Sequence, residues 1–208
     1  MKILEIDQRT DEWHQARLGI PTASKFSDIL AKTKSGYSAT RANYLADLIV
    51  ERLTGKPTDY YQSNAMQQGS EREPQAKALY QIKTFNPVKE VGFCLHDQIN
   101  CGASPDGLIG DDGGIEIKCP ERRAHLAYLQ LPENNYPPQY KAQIQGNLWI
   151  TDRKWWDFVS FNPDYPEHLQ IVIKRVERDD KFISELEIEI KKFNDEININ
   201  LSKLKIEK

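Results

Sequence analysis

The sequence predicts an α/β fold, a central mixed β-sheet flanked by α-helices. Three observations predict it. Helical patterns come first, a meander of short strand patterns follows, and then come two helices, two strands and a last helix, an order that layered α/β packing explains. Ile115 to Cys119 alternates apolar and polar residues, the mark of a half-buried strand. Phe182, Leu186, Ile190, Phe193, Ile197, Leu201 and Leu204 recur at spacings of four and three, which marks a long amphipathic helix over about residues 180–205. At 208 residues, with no repeat, low-complexity tract or clear linker, the whole span 1–208 reads as a single domain able to bury a substantial core.

Composition narrows the class. With 39% hydrophobic and 28% charged residues the chain suits a soluble globular protein. No apolar run approaches membrane-spanning length and residues 1–10 carry no signal-peptide core, so no membrane partner is expected and the cytoplasm is the default location. A net charge of −3 does not advertise a nucleic-acid binder, but local basic surface and bound metal decide contacts with phosphate. Cys94, Cys101 and Cys119 are odd in number and form no CxxC pair. That argues against a zinc ribbon, a disulfide framework and a four-cysteine iron–sulfur cluster, and each is expected to serve as a small buried hydrophobe. The scattered His14, His96, His125 and His168 are expected to be structural or superficial.

In chain order, residues 1–10 can form a short extended piece. Thr22 and Ser24 can cap a helix that turns Phe26, Ile29 and Leu30 inward. A helix N-terminus with a hydroxyl and Arg17 nearby makes an anion site; a simple cap and a surface salt bridge explain the same residues equally well. Lys32 to Tyr37 reads as a basic loop. Ser38 caps the next helix, whose stripe of Leu45, Leu48, Ile49 and Leu53 ends at Gly55. A further helix covers Asn64 to about Lys83, with Met66, Ala76, Leu79 and Tyr80 packing. Pro74 should kink it or begin a new segment, and Glu71-Arg72-Glu73 suits a solvated face. Val88 to Leu95 and Ile99 to Ser104 read as paired strands around His96-Asp97. Glu121 to Gln130 reads as a helix, as does Pro138 to Leu148, which carries Gln139, Gln143 and Gln145. Trp155 to Phe161 and Leu169 to Val176 are strand patterns, and Trp149, Trp155 and Trp156 are expected in the core.

The chemistry concentrates between Gly102 and Pro120. Gly107, Gly110 and Asp111-Asp112-Gly113-Gly114 supply turn residues. Alternation puts Glu116 and Lys118 on one strand face, ~6–7 Å apart, and Ile115 and Ile117 on the other. The turn can bring Asp106 beside them. Two carboxylates and an ammonium on one surface suit a divalent cation and a nucleophilic water. Spacing alone is weak, because Glu189-Ile190-Lys191 matches it within a helical pattern; an exposed hairpin of solvated charges is the alternative.

Five blocks fall in order: Trp13 to Gly19 with Thr22-Ala23-Ser24; Gly69 with Glu73; Ser104-Pro105-Asp106-Gly107; Glu116-Ile117-Lys118-Cys119-Pro120; and Ala142-Gln143-Ile144-Gln145. Together they resemble the phage lambda exonuclease family of YqaJ-type viral recombination nucleases, within the PD-(D/E)xK superfamily with its restriction-endonuclease-like core. The resemblance implies a Mg²⁺-dependent double-strand DNA exonuclease that digests one strand 5′ to 3′ to mononucleotides and leaves a 3′ single-stranded overhang for recombination by strand annealing. It further implies two Mg²⁺ ions held by Asp106, Glu116, the carbonyl of Ile117 and Glu73, with Mn²⁺ tolerated. Lys118 then holds and polarises the attacking water, and Gln143 lies beside it. Arg17, Ser24 and Ser104 match a pocket for the 5′-terminal phosphate. Met66 stands where the family has an apolar wedge between terminal base pairs, and Lys34 where an arginine tracks the duplex; lysine keeps the charge but lacks the planar fork. Expected partners are 5′-phosphorylated duplex ends, two further copies in a homotrimeric ring, and a single-strand annealing protein, in a bacterial or phage-infected cell. The alternatives are another nuclease of the superfamily, endonuclease or repair enzyme, and a non-enzymatic DNA-binding module, for which the intact Asp106, Glu116 and Lys118 would be superfluous.

Overall fold

In the computed structural model, which describes residues 1–34, 36–58 and 64–204 (the side chains of 64–66 excepted), the first half runs β1 (Lys2–Leu4), α1 (Asp11–Ala16), a 3₁₀ turn at Ala23–Lys25, α2 (Phe26–Leu30), β2 (Lys32–Thr33), β3 (Gly36–Tyr37), α3 (Ala39–Thr54) and α4 (Asn64–Thr84). The second half runs β4 (Phe93–Leu95), β5 (Gly102–Ala103), β6 (Gly107–Ile109), β7 (Gly113–Lys118), α5 (Arg122–Leu129), α6 (Lys141–Thr151), β8 (Trp155–Phe161), β9 (Ile171–Glu177) and α7 (Asp180–Lys203).

The mixed sheet has the order β6-β7-β8-β9. Only β7 and β8 are parallel, and α5 and α6 form the crossover that a parallel pair needs. There is a second, antiparallel sheet of order β1-β4-β5, and the chain just before β4 makes an isolated bridge from Lys89 to Leu108 of β6. Alternation along β7 sorts the two faces as expected. Ile115 and Ile117 join Val159 and Phe161 under Ala76 and Tyr80 of α4. Trp156 and Phe158 belong to the larger core with Tyr128 of α5, Ile144 and Leu148 of α6, and Leu186, Ile190 and Phe193 of α7. Gly114 is required here, because a Cβ on it would lie 2.3 Å from the Trp156 ring.

Three expectations need correction. Lys32 to Tyr37 is not a plain loop: β2 and β3 pair Lys32 with Tyr37 and Thr33 with Gly36, and the Tyr37 hydroxyl ties the hairpin to Glu189 of α7 at 2.6 Å. No new segment begins at Pro74, which lies inside α4; the fully buried Ala76 and Tyr80 hold the helix on the sheet across the hydrogen bond that proline removes. The predicted strand Val88 to Leu95 shrinks to β4. Of the tryptophans, Trp149 and Trp156 are buried, while Trp155 is half-buried with the Arg175 guanidinium 3.6 Å above its ring. Cys94 and Cys101 are buried and Cys119 is half-buried, all three free. The Asp179 carboxylate caps α7 by accepting from the Phe182 N–H at 3.0 Å. Among the described residues, no helix is long and apolar enough to cross a membrane.

Candidate active site

The register of the β6–β7 hairpin aligns Gly107 with Ile115, so the residue just before β6, Asp106, arrives beside Glu116 and Ile117. The Asp106 Oδ2 accepts the Ile117 N–H at 2.6 Å. Across the strand face, Lys118 Nζ lies 2.7 Å from Glu116 Oε1. The buried Arg153 fixes the turn, its Nη1 donating to the carbonyls of Ile109, Gly110 and Gly113 at 3.2, 2.8 and 2.6 Å.

Helix α6 covers the charged face. Gln143 Nε2 donates to Glu116 Oε1 at 2.6 Å, and Gln143 Oε1 accepts from Lys118 Nζ at 3.4 Å. One turn on, Asn147 Nδ2 donates to Glu116 Oε2 at 3.1 Å. On its other side α6 presses on the start of α2, and Gly146 makes this possible: a Cβ there would stand 2.6 Å from the Phe26 ring. The Lys118 ammonium also sits 5.1 Å from the Tyr140 ring centroid, a favourable placement for a cation.

The electrostatics match this crowding. Burial, then the charges of Glu116 and Glu73, push the Asp106 carboxyl well above the usual carboxylate range, against the pull of Lys118 and the Ile117 N–H. For Lys118, burial favours the neutral amine, but the Glu116 and Asp106 carboxylates outweigh it and raise the group above the ordinary lysine value. The side chain therefore stays an ammonium at neutral and moderately alkaline pH. The Cys119 thiol is pushed up to about 12, first by burial and then by Glu73 and Asp106. Glu73 thus faces the same centre from α4. It pairs with the Arg9 guanidinium, and with Asp106 it lines a cavity of about 640 Å³ that also borders Gln8, Arg9 and Lys77.

Among the described residues, no three His, Cys, Asp or Glu side chains converge as a finished metal cage. Each carboxylate instead holds a protein donor: Ile117 N–H for Asp106, two amides and Lys118 for Glu116, Arg9 for Glu73. The donor chemistry nevertheless fits a hard divalent cation, since carboxylate and carbonyl oxygens are its preferred ligands. Burial, and then repulsion from Glu116 and Glu73, raises the proton affinity of Asp106, and a bound cation relieves such repulsion.

Trp13 links Arg17 to Ser104, and Thr22 links Ser24 to Gly102, two residues before Ser104. Trp13 Nε1 donates to Ser104 Oγ at 2.9 Å, and the Arg17 guanidinium lies 3.8 Å from the centroid of the Trp13 ring. Thr22 bridges to Gly102 in parallel fashion, Gly102 N–H donates to the Pro21 carbonyl at 3.0 Å, and the Thr22 and Ser24 hydroxyls are 3.3 Å apart. Neither hydroxyl caps a helix as expected. The chain enters through a 3₁₀ turn, with Lys25 N–H on the Thr22 carbonyl at 2.8 Å, so both hydroxyls turn to each other. Ser24 remains exposed.

Two predicted DNA contacts lie outside this cluster or outside the described residues. Lys34 is exposed at the turn of the β2–β3 hairpin, whose Tyr37 docks on α7. Met66 falls in the first turn of α4, and its side chain lies outside the described residues. Sequence reasoning missed the roles of Asn147, Trp13 and Arg9. The first was findable, since Asn147 is four residues after Gln143 and shares its helix face.

Residues 12–154 match the family model described as the YqaJ-like viral recombinase domain. The structure is similar to an alkaline exonuclease, LHK-Exo, from Laribacter hongkongensis, with 43% identity over 94% of this chain and 96% of that one and a TM-score of 0.86. It is similar to the same protein in complex with dAMP, with 43% identity, the same coverage of both chains and a TM-score of 0.87. A phage related exonuclease from Haemophilus somnus shares the fold, with a TM-score of 0.72 over 89% of this chain and 96% of that one, at 13% identity. No curated protein sequence matches the chain. A family model spanning the Asp106, Glu116, Lys118 and Gln143 site, together with the restriction-endonuclease-like fold built around it, means that this chain belongs to the YqaJ-like viral recombinase family, the lambda exonuclease type.

Proposed function

We propose that this nuclease is a Mg²⁺-dependent 5′-to-3′ double-strand DNA exonuclease, one 1–208 catalytic domain that releases mononucleotides and leaves a 3′ overhang for strand annealing. Family membership and the Laribacter relative make it a DNA exonuclease. The observation that carries the finer reading is the meeting of Glu116, Lys118 and Gln143, with Asp106 held against Ile117, two residues along the chain from Ser104 of the Arg17 pocket.

Asp106, Glu116, the Ile117 carbonyl and Glu73 would hold two Mg²⁺ ions, which Mn²⁺ can replace, and these would supply charge stabilisation at the phosphodiester. Lys118 donates N–H to the attacking water and offsets negative charge that develops at the phosphate. Gln143 fixes both Lys118 and Glu116 through its two ends, so the donor and the carboxylate keep one geometry. Arg17, with Ser24 and Ser104, receives the terminal 5′-phosphate through charge-assisted hydrogen bonds. Held there, a strand end presents its next phosphodiester in a fixed register, and each cut advances one nucleotide. Lys34 contacts the duplex backbone and Met66 wedges the terminal pair. Three copies form a ring around DNA in the cytoplasm, and a single-strand annealing protein takes the overhang.

The test is digestion of linear duplex with Mg²⁺, comparing 5′-phosphorylated with 5′-hydroxyl ends and sizing the products. Mononucleotides from the phosphorylated strand are expected, with the complementary strand intact. Cutting of closed circles, or indifference to end chemistry, would overturn the reading.

A further inference from the structure

Glu116 is only 2% exposed and Asn147 1%, so the bond between them replaces water that neither can reach. The amides of α6 divide the carboxylate: Gln143 Nε2 takes Oε1 at 2.6 Å and Asn147 Nδ2 takes Oε2 at 3.1 Å. Lys118 joins Gln143 on Oε1. The two amides are four residues apart on one helix, and so hold the carboxylate plane at two points. With Oε2 unpaired, the side chain could rotate toward Lys118, its remaining strong partner. The helix is itself fixed: Thr151 Oγ1 donates to the Asn147 carbonyl at 2.6 Å, and Gly146 lets it close on Phe26.

We propose that Asn147 is a positioning residue that keeps Glu116 in its cation-binding orientation. This rests on the metal role of Glu116 given above. Outer partners of ligating carboxylates typically change metal affinity or activity 10- to 100-fold when removed.

The experiment measures Mn²⁺ binding by the full DNA-free chain by calorimetry, and KM and kcat for a phosphorylated duplex, in Asn147→Ala, Asn147→Leu and the control Glu116→Gln. Leucine keeps the branched skeleton and lacks the donor. Both Asn147 variants should weaken Mn²⁺ binding about 10- to 100-fold and lower kcat at fixed metal, with recovery at raised Mn²⁺ and KM for DNA within about twofold. A purely structural role would lower the melting temperature and leave metal affinity of the folded protein unchanged. Wild-type affinity in folded variants, beside a Glu116→Gln that loses binding, overturns the positioning role alone. Wild-type affinity in Glu116→Gln overturns the metal role of Glu116 and this proposal with it. Failure of both Asn147 variants to fold overturns it too, since positioning requires the loss of one hydrogen bond only.

Discussion

The tripeptide Glu-Ile-Lys occurs twice, at 116–118 on β7 and at 189–191 on α7, and the two copies share nothing but spelling. On the strand, residues two apart face the same way, and Lys118 Nζ meets Glu116 Oε1 at 2.7 Å. On the helix, residues two apart diverge. Lys191 reaches back one turn to Glu187 at 2.6 Å, while Glu189 takes the Tyr37 hydroxyl, Lys192 and Lys32. The strand copy has a deeply buried carboxylate that two amides divide. The helix copy fastens a hairpin to the surface. A spacing acquires chemical meaning only when the backbone that carries it, and the depth at which it lies, are fixed.

The largest effect should separate the copies directly. Lys118→Ala and Glu116→Gln should each lower the rate of nucleotide release by about 10²–10³-fold or more, the range for removing a group that stabilises developing charge. Lys191→Ala and Glu189→Gln should stay within about twofold. Acid-soluble nucleotide released from linear duplex measures both; equal losses would break the comparison.

A smaller effect should show what the strand copy has beside it and the helix copy lacks. Arg17→Ala should slow digestion of 5′-phosphorylated ends by about 10- to 100-fold, from the loss of a charge-assisted bond of about 1.5–3 kcal/mol, and should leave 5′-hydroxyl ends little changed. Trp13→Phe keeps a ring under Arg17 but loses the N–H to Ser104. Its loss should be a few-fold, in the range of one ordinary hydrogen bond of about 1 kcal/mol, and again confined to phosphorylated ends. A Trp13→Phe variant that slows both ends alike would mean that Trp13 serves the fold rather than the pocket.

Much of this was legible in the sequence because it rests on periodicity. Alternation at Ile115–Lys118 announced which side chains share a face, and β7 obeys it; the stripe from Phe182 to Leu204 announced α7. The placement of Asp106 was legible because a glycine turn closes a short hairpin. What stayed hidden depends on contacts between distant segments. Trp13 and Ser104 are 91 residues apart, and nothing local says that an indole will hold a serine. Arg9 joins Glu73 across 64 residues. The β2–β3 hairpin read as a loop because its strands are two residues long and its support comes from α7.

The smallest effect concerns the helix copy alone, and its sign can be worked out. Burial pushes the Glu189 carboxyl up, but the Tyr37 hydroxyl, Lys192 and Lys32 together hold it below the usual range. A depressed folded value contributes stability above the unfolded value of about 4.3, lost as pH falls through the folded one. Tyr37 moves the other way, its hydroxyl held protonated first by the bond to Glu189 and then by burial. Its contribution is complete below its unfolded value of about 10 and fades as pH rises through the raised folded one. The link should therefore be constant at neutral pH and fail toward both extremes. Because its partners Tyr37, Lys32 and Lys192 are exposed, Glu189→Gln should cost only about 0.5–1 kcal/mol at pH 7, with the difference from the parent shrinking in acid. Urea melts at neutral and acidic pH would show it. A difference that instead grew in acid would mean that Glu189 is held protonated, and that the helix copy shares the crowding of the strand copy after all.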